Sequence, residues 1–454
     1  MLRLWLSAAL LCASSFVYAT PLPDSDSDSA KDSSHEVVQW NKTLLSIVRT
    51  PGAQPATIHP TRSFALLHAA IYDAVNAIEP THEPYLVHIE RVSPHASRRA
   101  AVASAAHEVL VSLYPAFQTT VDQQFEMTLA DIADGPEKTA GTDVGRAVGL
   151  ATVAFRKDDG SAELPIPYVF GTNPGDYQST PLNFPPQPAF THWSRVTPFA
   201  IERARQFRPV PPPPLTSPEY TAAFKQVKEI GIAINTNPPS ETTNIGRFWN
   251  GAIQNYWNEI TQTEVEAHHL TTAQAARVFA LLNVTLADEV IAFYDAKYTY
   301  NFWRPVTAIR AAAKDGNPST VEDATWLPQS GNTAADPSYP GAHATISAGA
   351  AFILTRFFGH KRLHLNVTSE VLPGVARSFD SFAAVRDEAS VSRVFAGQHF
   401  STDEAAGEVL GKAVAEFAAK NVMTRVKRSD RGDGDDRDRD SDEDSDRDEG
   451  HDRN

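Results

Sequence analysis

Apolar residues recur every three or four positions over most of this chain, whereas patterns that alternate between apolar and polar positions are scarce. In residues 62–79 the apolar stripe stops at Pro80, as expected where a helix ends. In the last such stretch, Ser401 followed by Glu404 predicts a capping box. The same helical spacing is found in further segments: 97–114, 117–132, 138–155, 218–233, 272–296, 342–358, 371–389 and 401–420. The pattern predicts an all-α fold built from helical bundles.

Composition divides the chain into six segments. Arg3, an apolar run and Ala19 are typical of a secretory signal peptide, so we expect a secreted protein. The prolines of the middle segment exclude regular helix, and we expect it either to wrap the surface and shape an entrance or to link two helical halves. The segments are the signal peptide (1–19), a disordered acidic linker (20–36), an N-terminal helical region (37–161), the proline-rich segment (162–218), a C-terminal helical domain (219–423) and a disordered mixed-charge tail (424–454).

Charge and composition narrow the class of protein. The formal net charge of −15 is concentrated in the two polar ends, and no basic face is evident, so we expect no nucleic-acid partner. Beyond the signal peptide no apolar run approaches the length of a membrane span, so we expect no membrane partner. The only cysteine, Cys12, lies in the signal peptide, and the mature chain is therefore expected to contain no disulfide. Nothing in the pattern indicates an oligomeric state.

Three Asn-x-Thr sequons make the protein a candidate glycoprotein. Asn41 and Asn366 fall in segments that we interpret as loops, where the acceptor amide would be accessible. Asn283 falls inside the predicted helix 272–296, and we expect it to be unmodified.

The strongest chemical signal is a set of three polar clusters, at 297–305, 337–345 and 392–403, in an otherwise apolar region. Together they supply one lysine, two arginines and two histidines: Lys297, Arg304, His343, Arg393 and His399. Arginine provides fixed, always-charged N–H donors and lysine a point charge, a combination that suits a tetrahedral oxyanion. Each residue alone would be an ordinary ion-pair partner or a buried histidine. Their joint occurrence favours a shared anion site at the centre of the bundles.

Spacing predicts how these side chains meet. Lys297 and Arg304 are seven residues apart, which places them on one helix face if the helix 272–296 continues. His343 is at a predicted helix start, where free N–H groups favour an anion, and Gly341 before it permits close approach of the backbone. Arg393 and His399 are expected just before the start of the last helix.

The pattern K-x6-R-P, then P-x-x-H, then S-R-x5-H-x3-D resembles the signature shared by vanadium-dependent haloperoxidases and type 2 phosphatidic acid phosphatases (the PAP2 superfamily). Residues 301–305 and 337–345 are more similar to the haloperoxidase branch. A weaker resemblance extends from about residue 62 to the last helix. It implies an all-α fold, helical bundles around a central oxyanion site.

The resemblance also implies roles for individual residues. Lys297, Arg304 and Arg393 would bind the oxygens of vanadate, with the backbone at Gly341 and Ala342 approaching the same anion. His399 would be the axial ligand of the vanadium, and His343 the acid–base group for peroxide. Asp403 would orient an imidazole or pair with Arg393.

The implied activity is oxidation of a halide by hydrogen peroxide on vanadate, which yields a hypohalous species that can halogenate a small organic acceptor. Vanadium keeps its oxidation state in this chemistry, so the resemblance implies neither haem nor flavin, and no motif for either is found. Two positions depart from the family. Gly341 and Ala342 replace the usual Ser-Gly before His343, and Asp336 stands where haloperoxidases often carry an aromatic residue or histidine. An inward carboxylate at 336 would repel halide, which favours bromide or iodide over chloride.

Two other functions fit the same residues. In a secreted acid phosphatase of the PAP2 type, His399 would attack phosphorus and His343 would protonate the leaving group. In an inactive relative, the site would bind oxyanions without turnover, consistent with the missing serine at Gly341. The sequence leaves all three open, with the haloperoxidase favoured.

Overall fold

The computed structural model describes residues 4–6, 33–54, 59–233, 239–359 and 363–426, and it is predominantly helical, which confirms the all-α prediction. Most of the predicted signal peptide, the predicted linker up to residue 32 and the tail from residue 427 lie outside the described residues. The α-helices of the described part are α1 His35–Arg49, α2 Pro60–Ile78, α3 Arg98–Leu113, α4 Gln118–Ala130, α5 Pro136–Phe155, α6 Pro218–Ile230, α7 Glu241–Phe248, α8 Ile253–Ala267, α9 Thr272–Tyr300, α10 Pro305–Arg310, α11 Ala342–Phe358, α12 Phe382–Phe395 and α13 Ser401–Asn421. Single 3-10 turns are found at Pro115–Phe117, Trp193–Arg195 and Ala312–Lys314.

Short strands form two small sheets. Strand β1 (Leu4–Leu6) pairs in parallel with β2 (Val87–Ile89), and β3 (Leu365–Thr368) pairs antiparallel with β4 (Ala376–Phe379). The β3–β4 hairpin corrects the helix predicted for 371–389. A turn at Gly374, with φ +83°, reverses the chain, and the helix begins only at Phe382, where the Ser381 side chain caps it by accepting from the Ala384 amide.

Helix α9 forms the centre of the molecule. It begins with a capping box between Thr271 and Gln274, and nearly every residue from Ala275 to Lys297 is buried. It packs against α2, α11 and α13, and Lys297 in its last turn is fully buried. Asn301, with φ +48°, ends the helix in the left-handed conformation that asparagine tolerates.

Two glycines bring α13 unusually close to α11. A Cβ atom at Gly407 would lie 2.4 Å from the carbonyl oxygen of Gly341, and a Cβ at Gly411 would lie 2.0 Å from that of Thr345. Any larger residue would force the helices apart, since real Cβ atoms do not approach backbone so closely. The starts of α11 and α13 therefore meet at one place, which is where the polar clusters converge.

In the proline-rich segment, the described elements after α5 are one 3-10 turn and irregular chain that lies along α9. The Asp288 carboxylate on α9 accepts hydrogen bonds from the amides of Phe199, Ala200 and Ile201 at 2.6–2.7 Å. The Ala189 amide donates to the carbonyl of Ala335. These bonds tie the segment to α9 and to the chain just before the second polar cluster. The six-segment division as a whole stays a prediction.

The structure corrects the placement of two sequons that were predicted to lie in loops, Asn41 and Asn366. Asn41 is fully buried in α1, not in a loop, and it bonds His68, Asn258 and Gln262, so its amide is unavailable for glycosylation. Asn366 lies on β3 and is exposed, whereas Asn283 is fully buried in α9. Within the described residues, no helix has both the length and the apolar character needed to cross a membrane.

Candidate oxyanion site

Lys297 and Arg304 reach the site by a route that differs from the prediction. Lys297 lies in the last turn of α9, but the helix does not continue to Arg304. Asn301 turns the chain, and Arg304 is the residue that caps the start of α10, with Pro305 in its first turn. The two side chains nevertheless converge, because both point at Asp336 and the backbone that follows it.

The second polar cluster is anchored on the start of α13. Gly341 precedes α11, and its amide donates to the Asp403 carbonyl at 2.8 Å, while the Ser338 hydroxyl donates to Asp403 Oδ2 at 2.5 Å. His343 lies in the first turn of α11, which confirms its predicted place at a helix start.

Arg393 and His399 flank the connection between α12 and α13. Arg393 lies in the last turn of α12 rather than before a helix start, which corrects the prediction. A turn at Gly397, with φ +72°, then brings His399 to a position two residues before α13. The predicted capping box of Ser401 and Glu404 is also wrong: the cap residue is Phe400, whose amide donates to Asp403 Oδ2, and the Glu404 side chain is free to turn inward.

The cations Lys297 and Arg304 are buried and bound to one carboxylate. Lys297 Nζ donates to the carbonyls of Pro337 and Ser338 and lies 3.6 Å from Asp336 Oδ1. Arg304 donates through Nη2 to the same Oδ1 and through Nε to the Asp336 carbonyl at 2.9 Å. Burial lowers the pKa of Lys297 to about 8, against the opposing effect of Asp336. Asp336 therefore points inward, the orientation in which it would repel a halide, and engages two of the three cations.

The third cation, Arg393, has uncharged partners. Its Nη1 donates to the Trp249 carbonyl and its Nη2 to Asn250 Oδ1, both at 2.9 Å. Burial lowers the pKa of Arg393 to about 10. Because a carbonyl and an amide compensate its charge only partly, Arg393 remains a strong attractor for an anion. Asn250 was missed by sequence reasoning, and the neighbouring Phe248-Trp249 pair was the only signal for it.

The ring nitrogens of His399 have distinct partners. Nε2 lies 2.9 Å from Arg304 Nη1, and Nδ1 lies 3.3 Å from Asp403 Oδ2. Arginine can only donate hydrogen bonds, so Nε2 must be the acceptor. Nδ1 therefore carries the proton and donates a hydrogen bond to Asp403. Burial, reinforced by Arg304 and Lys297, holds the pKa of His399 well below its usual range. The ring is thus neutral, and the lone pair on Nε2 is directed toward Arg304.

His343 is half-buried and also neutral. Its Nε2 lies 2.9 Å from the Trp249 carbonyl oxygen, which accepts a hydrogen bond from the N–H of that nitrogen. Burial and then Arg393 hold its pKa well below the usual range. His343 of the second cluster and Arg393 of the third therefore donate hydrogen bonds to the same backbone carbonyl, that of Trp249.

Asp403 and Glu404 complete the site on its α13 side. Of the two partners predicted for Asp403, its carboxylate contacts His399. Burial raises the pKa of Asp403 to about 6, and burial together with Asp403 raises that of Glu404 well above its usual value. Neither Glu404 oxygen has a hydrogen-bond partner among the described residues, and Oε1 lies 3.7 Å from His399 Nδ1. Sequence reasoning took Glu404 only for a capping residue.

These residues fit a tetrahedral oxyanion. Two guanidinium groups and an ammonium, each at most 3% exposed, surround an imidazole whose Nε2 is an acceptor. The first turn of α11 adds backbone amides that have no partner within the helix. Asp336 is the one group that competes with an incoming anion for Lys297 and Arg304.

Comparisons with known proteins identify the same region. Residues 277–428 match the family model described as the VCPO second helical-bundle domain. A vanadium chloroperoxidase of Curvularia inaequalis is 23% identical over 488 aligned residues, which span 84% of this chain and 77% of that protein.

Solved structures share the architecture. The first bacterial vanadium-dependent iodoperoxidase superposes with a TM-score of 0.73 at 22% identity, covering 88% of this chain and 99% of that one. A holo-type bacterial vanadium-dependent chloroperoxidase superposes with a TM-score of 0.61 at 16% identity, covering 85% and 96%. The second helical bundle of this chain thus matches a vanadium haloperoxidase family model, and its all-α fold is shared with solved vanadium-dependent haloperoxidases.

Proposed function

We propose that the protein is a secreted vanadium-dependent haloperoxidase that uses hydrogen peroxide to oxidise bromide or iodide. The observation that carries the proposal is the burial of Lys297, Arg304 and Arg393 around His399: Arg304 contacts Nε2, and all three cations lower the pKa of the imidazole. Export is proposed from the signal-like residues 1–19, and N-terminal sequencing of the protein from a culture supernatant tests it.

The three cations would hold vanadate by its oxygens. Arg393 is available as it stands, since its partners are neutral. Arg304 and Lys297 would exchange part of their contact with Asp336 for oxygens of the anion. When bound, vanadate supplies the Lewis acidity that activates peroxide toward a halide.

The imidazoles have the protonation states that these roles need. Asp403 holds the proton of His399 on Nδ1, so Nε2 carries the lone pair and would exchange its hydrogen bond from Arg304 for the metal. His343 is neutral and half-buried, so it can accept a proton from peroxide arriving in the site. The Trp249 carbonyl fixes its ring, and Nδ1 is the nitrogen left to accept.

The halide preference follows from charge. Asp336 places a carboxylate inside the site, 8% exposed, where a halide would approach. Repulsion by this charge raises the cost of bringing any halide near, and chloride is the halide hardest to oxidise. Bromide and iodide are therefore the proposed substrates, with transfer of the oxidised halogen to a small organic acceptor.

An acid phosphatase is the second candidate, because the His399–Asp403 pair also suits a nucleophile. An imidazole whose Nδ1–H is held by a carboxylate presents Nε2 for attack on phosphorus, and the same cations would hold a phosphate ester. An inactive oxyanion-binding protein is the third.

One side-by-side assay separates the three functions. The purified protein is incubated with orthovanadate, freed of excess, and assayed for bromination and iodination of a reporter with peroxide, and for hydrolysis of a phosphate ester. We expect halogenation that depends on vanadate and is lost in His399→Ala. His107→Ala is the matched control and should keep activity, because His107 lies on α3 and pairs with Asp122 of α4. Ester hydrolysis without halogenation would support the phosphatase, and neither activity would support the inactive relative.

A further inference from the structure

The carbonyl oxygen of Trp249 is the point where the second and third polar clusters meet. His343 donates to it through Nε2 and Arg393 through Nη1, both at 2.9 Å. A carbonyl oxygen has two lone pairs, and these two donors use both of them. The orientation of this one peptide group therefore decides how the imidazole and the guanidinium stand in the site.

The side chain of Trp249 is locked in place by a carboxylate on α12. Trp249 ends α7, is 0% exposed and packs its ring against Tyr256 and Phe379, with centroids 5.1 and 6.2 Å apart. Its indole Nε1 donates to Glu388 Oε1 at 2.9 Å. Arg377 on β4 holds the same carboxylate through Nε at 2.6 Å and Nη2 at 2.8 Å. The indole N–H is thus directed at an acceptor that is itself fixed by two charge-assisted hydrogen bonds.

A second carboxylate anchors the chain just after this peptide group. The Ala252 amide donates at 2.6 Å to Oε1 of Glu370, which follows β3 and also accepts from Arg49 Nε at 2.9 Å. A Cβ atom at Gly251 would lie 2.5 Å from the same Oε1, so glycine is what permits this close approach. The 249–252 loop is therefore held at both ends, by the β3–β4 hairpin and by α12.

We propose that Glu388 is a positioning residue: through the Trp249 indole it sets the carbonyl that orients both His343 and Arg393. The inference rests on the proposed functions of those two residues and adds the contact that keeps them aligned. Without an acceptor at position 388, the buried indole N–H is unpaired, and this cost favours a different orientation of Trp249. The carbonyl moves with the residue, so the imidazole loses its fixed acceptor and the guanidinium loses one of its two partners.

An NMR experiment tests the orientation of His343. Glu388→Ala and Trp249→Phe remove the indole hydrogen bond from its two ends, whereas Glu388→Gln keeps an oxygen that can accept it. In the full-length protein with isotope-labelled histidines, the imidazole N–H that donates to Trp249 should exchange slowly with water and give a resonance, assigned by its absence in His343→Gln. We expect this resonance to be lost in Glu388→Ala and Trp249→Phe and kept in Glu388→Gln.

Calorimetric titration with inorganic phosphate tests the orientation of Arg393. The affinity should fall by about fivefold or more in Glu388→Ala and Trp249→Phe, because a displaced guanidinium loses much of a hydrogen bond between charged groups. It should stay within about twofold of the wild type in Glu388→Gln. Glu241→Gln is the matched control and should change neither readout, because the Glu241 side chain is 65% exposed and bonds the outer side of the same Arg377.

The two readouts separate the inference from the proposed function. An unchanged His343 resonance or an unchanged phosphate affinity in Trp249→Phe would overturn the inference, and so would a Glu388→Gln variant that behaves like Glu388→Ala. Thermal unfolding checks that each variant is folded, and Trp249→Phe carries the same test if Glu388→Ala does not fold. A wild type that shows the His343 resonance with the expected losses but binds no phosphate would overturn the proposed oxyanion site and leave the positioning of His343 intact.

Discussion

Asp336 is the group whose removal should most improve anion binding. Its carboxylate lies against Arg304 Nη2 and 3.6 Å from Lys297 Nζ, and so occupies cations that vanadate would need. Asp336→Asn keeps an oxygen that can accept from Arg304 but removes the charge. We expect this variant to bind orthovanadate more tightly than the wild type.

The magnitude follows from Coulomb's law. At an effective dielectric constant of about 20, unit charges 3.6 Å apart attract by about 4–5 kcal/mol, which is the interaction that vanadate must partly replace at Lys297. A singly charged anion at about 5 Å from Asp336 would be repelled by about 3 kcal/mol on the same scale. Water and side-chain relaxation reduce these terms, and we expect a net gain of roughly 10- to 100-fold in affinity.

Calorimetric titration with orthovanadate measures the change directly. A second signature is stability: without anion the variant leaves two buried cations uncompensated, so its melting temperature should fall and vanadate should restore it. Asp295→Asn is the matched control, because Asp295 lies on α9, the helix of Lys297, but pairs with Arg208. It should change the vanadate affinity by about twofold at most. Unchanged or weaker binding in Asp336→Asn would refute the idea that Asp336 competes with the anion.

Three further predictions test other parts of the site and its support. Gly341→Ser should destabilise the protein by about 1–3 kcal/mol, because its Cβ would lie 2.2 Å from Glu404 Oε1. Adding Glu404→Ala should recover most of that loss in urea unfolding, whereas additive losses would contradict the contact. Arg393→Met should weaken vanadate binding by about tenfold or more in the same titration, because it removes a cation with neutral partners, and an unchanged affinity would place the anion elsewhere. Burial raises the pKa of Asp288 to about 6 from 3.8, so protonated Asp288 stabilises the fold below pH 4, and this contribution of about 3 kcal/mol is lost as pH rises through 6. Asp288→Asn should flatten the pH dependence of the unfolding free energy measured in urea. An unaltered pH dependence would contradict the assignment to Asp288.

The helices of this fold were largely predictable from local pattern. Helix α9 shows why: its apolar period, its Thr271–Gln274 capping box and its buried length all agree. The break at Asn301 was not anticipated, although an asparagine four residues before Pro305 is a local stop signal. The error at 371–389 has a similar cause, since Gly374 and the short alternating stretch before it indicate a hairpin.

The site residues were predictable as a set, but their partners were not. Motif spacing identified Lys297, Arg304, His343, Arg393 and His399, and the structure brings them together. That Asp336 engages two cations depends on the fold placing it against Lys297 and Arg304, which are both more than 30 residues distant in sequence. That Glu404 enters the site depends on Gly407 admitting α13 to the start of α11. Burial of Asn41 likewise results from contacts with α2 and α8 that no local pattern contains.

The most direct test of the proposed oxyanion site is a crystal structure of the protein with orthovanadate bound. We expect one vanadate per chain, bound through His399 Nε2 and held by Lys297, Arg304 and Arg393, with Asp336 withdrawn from at least one of its cations. An anion bound elsewhere, or a site in which Asp336 still holds both cations while His399 has no ligand, would contradict it.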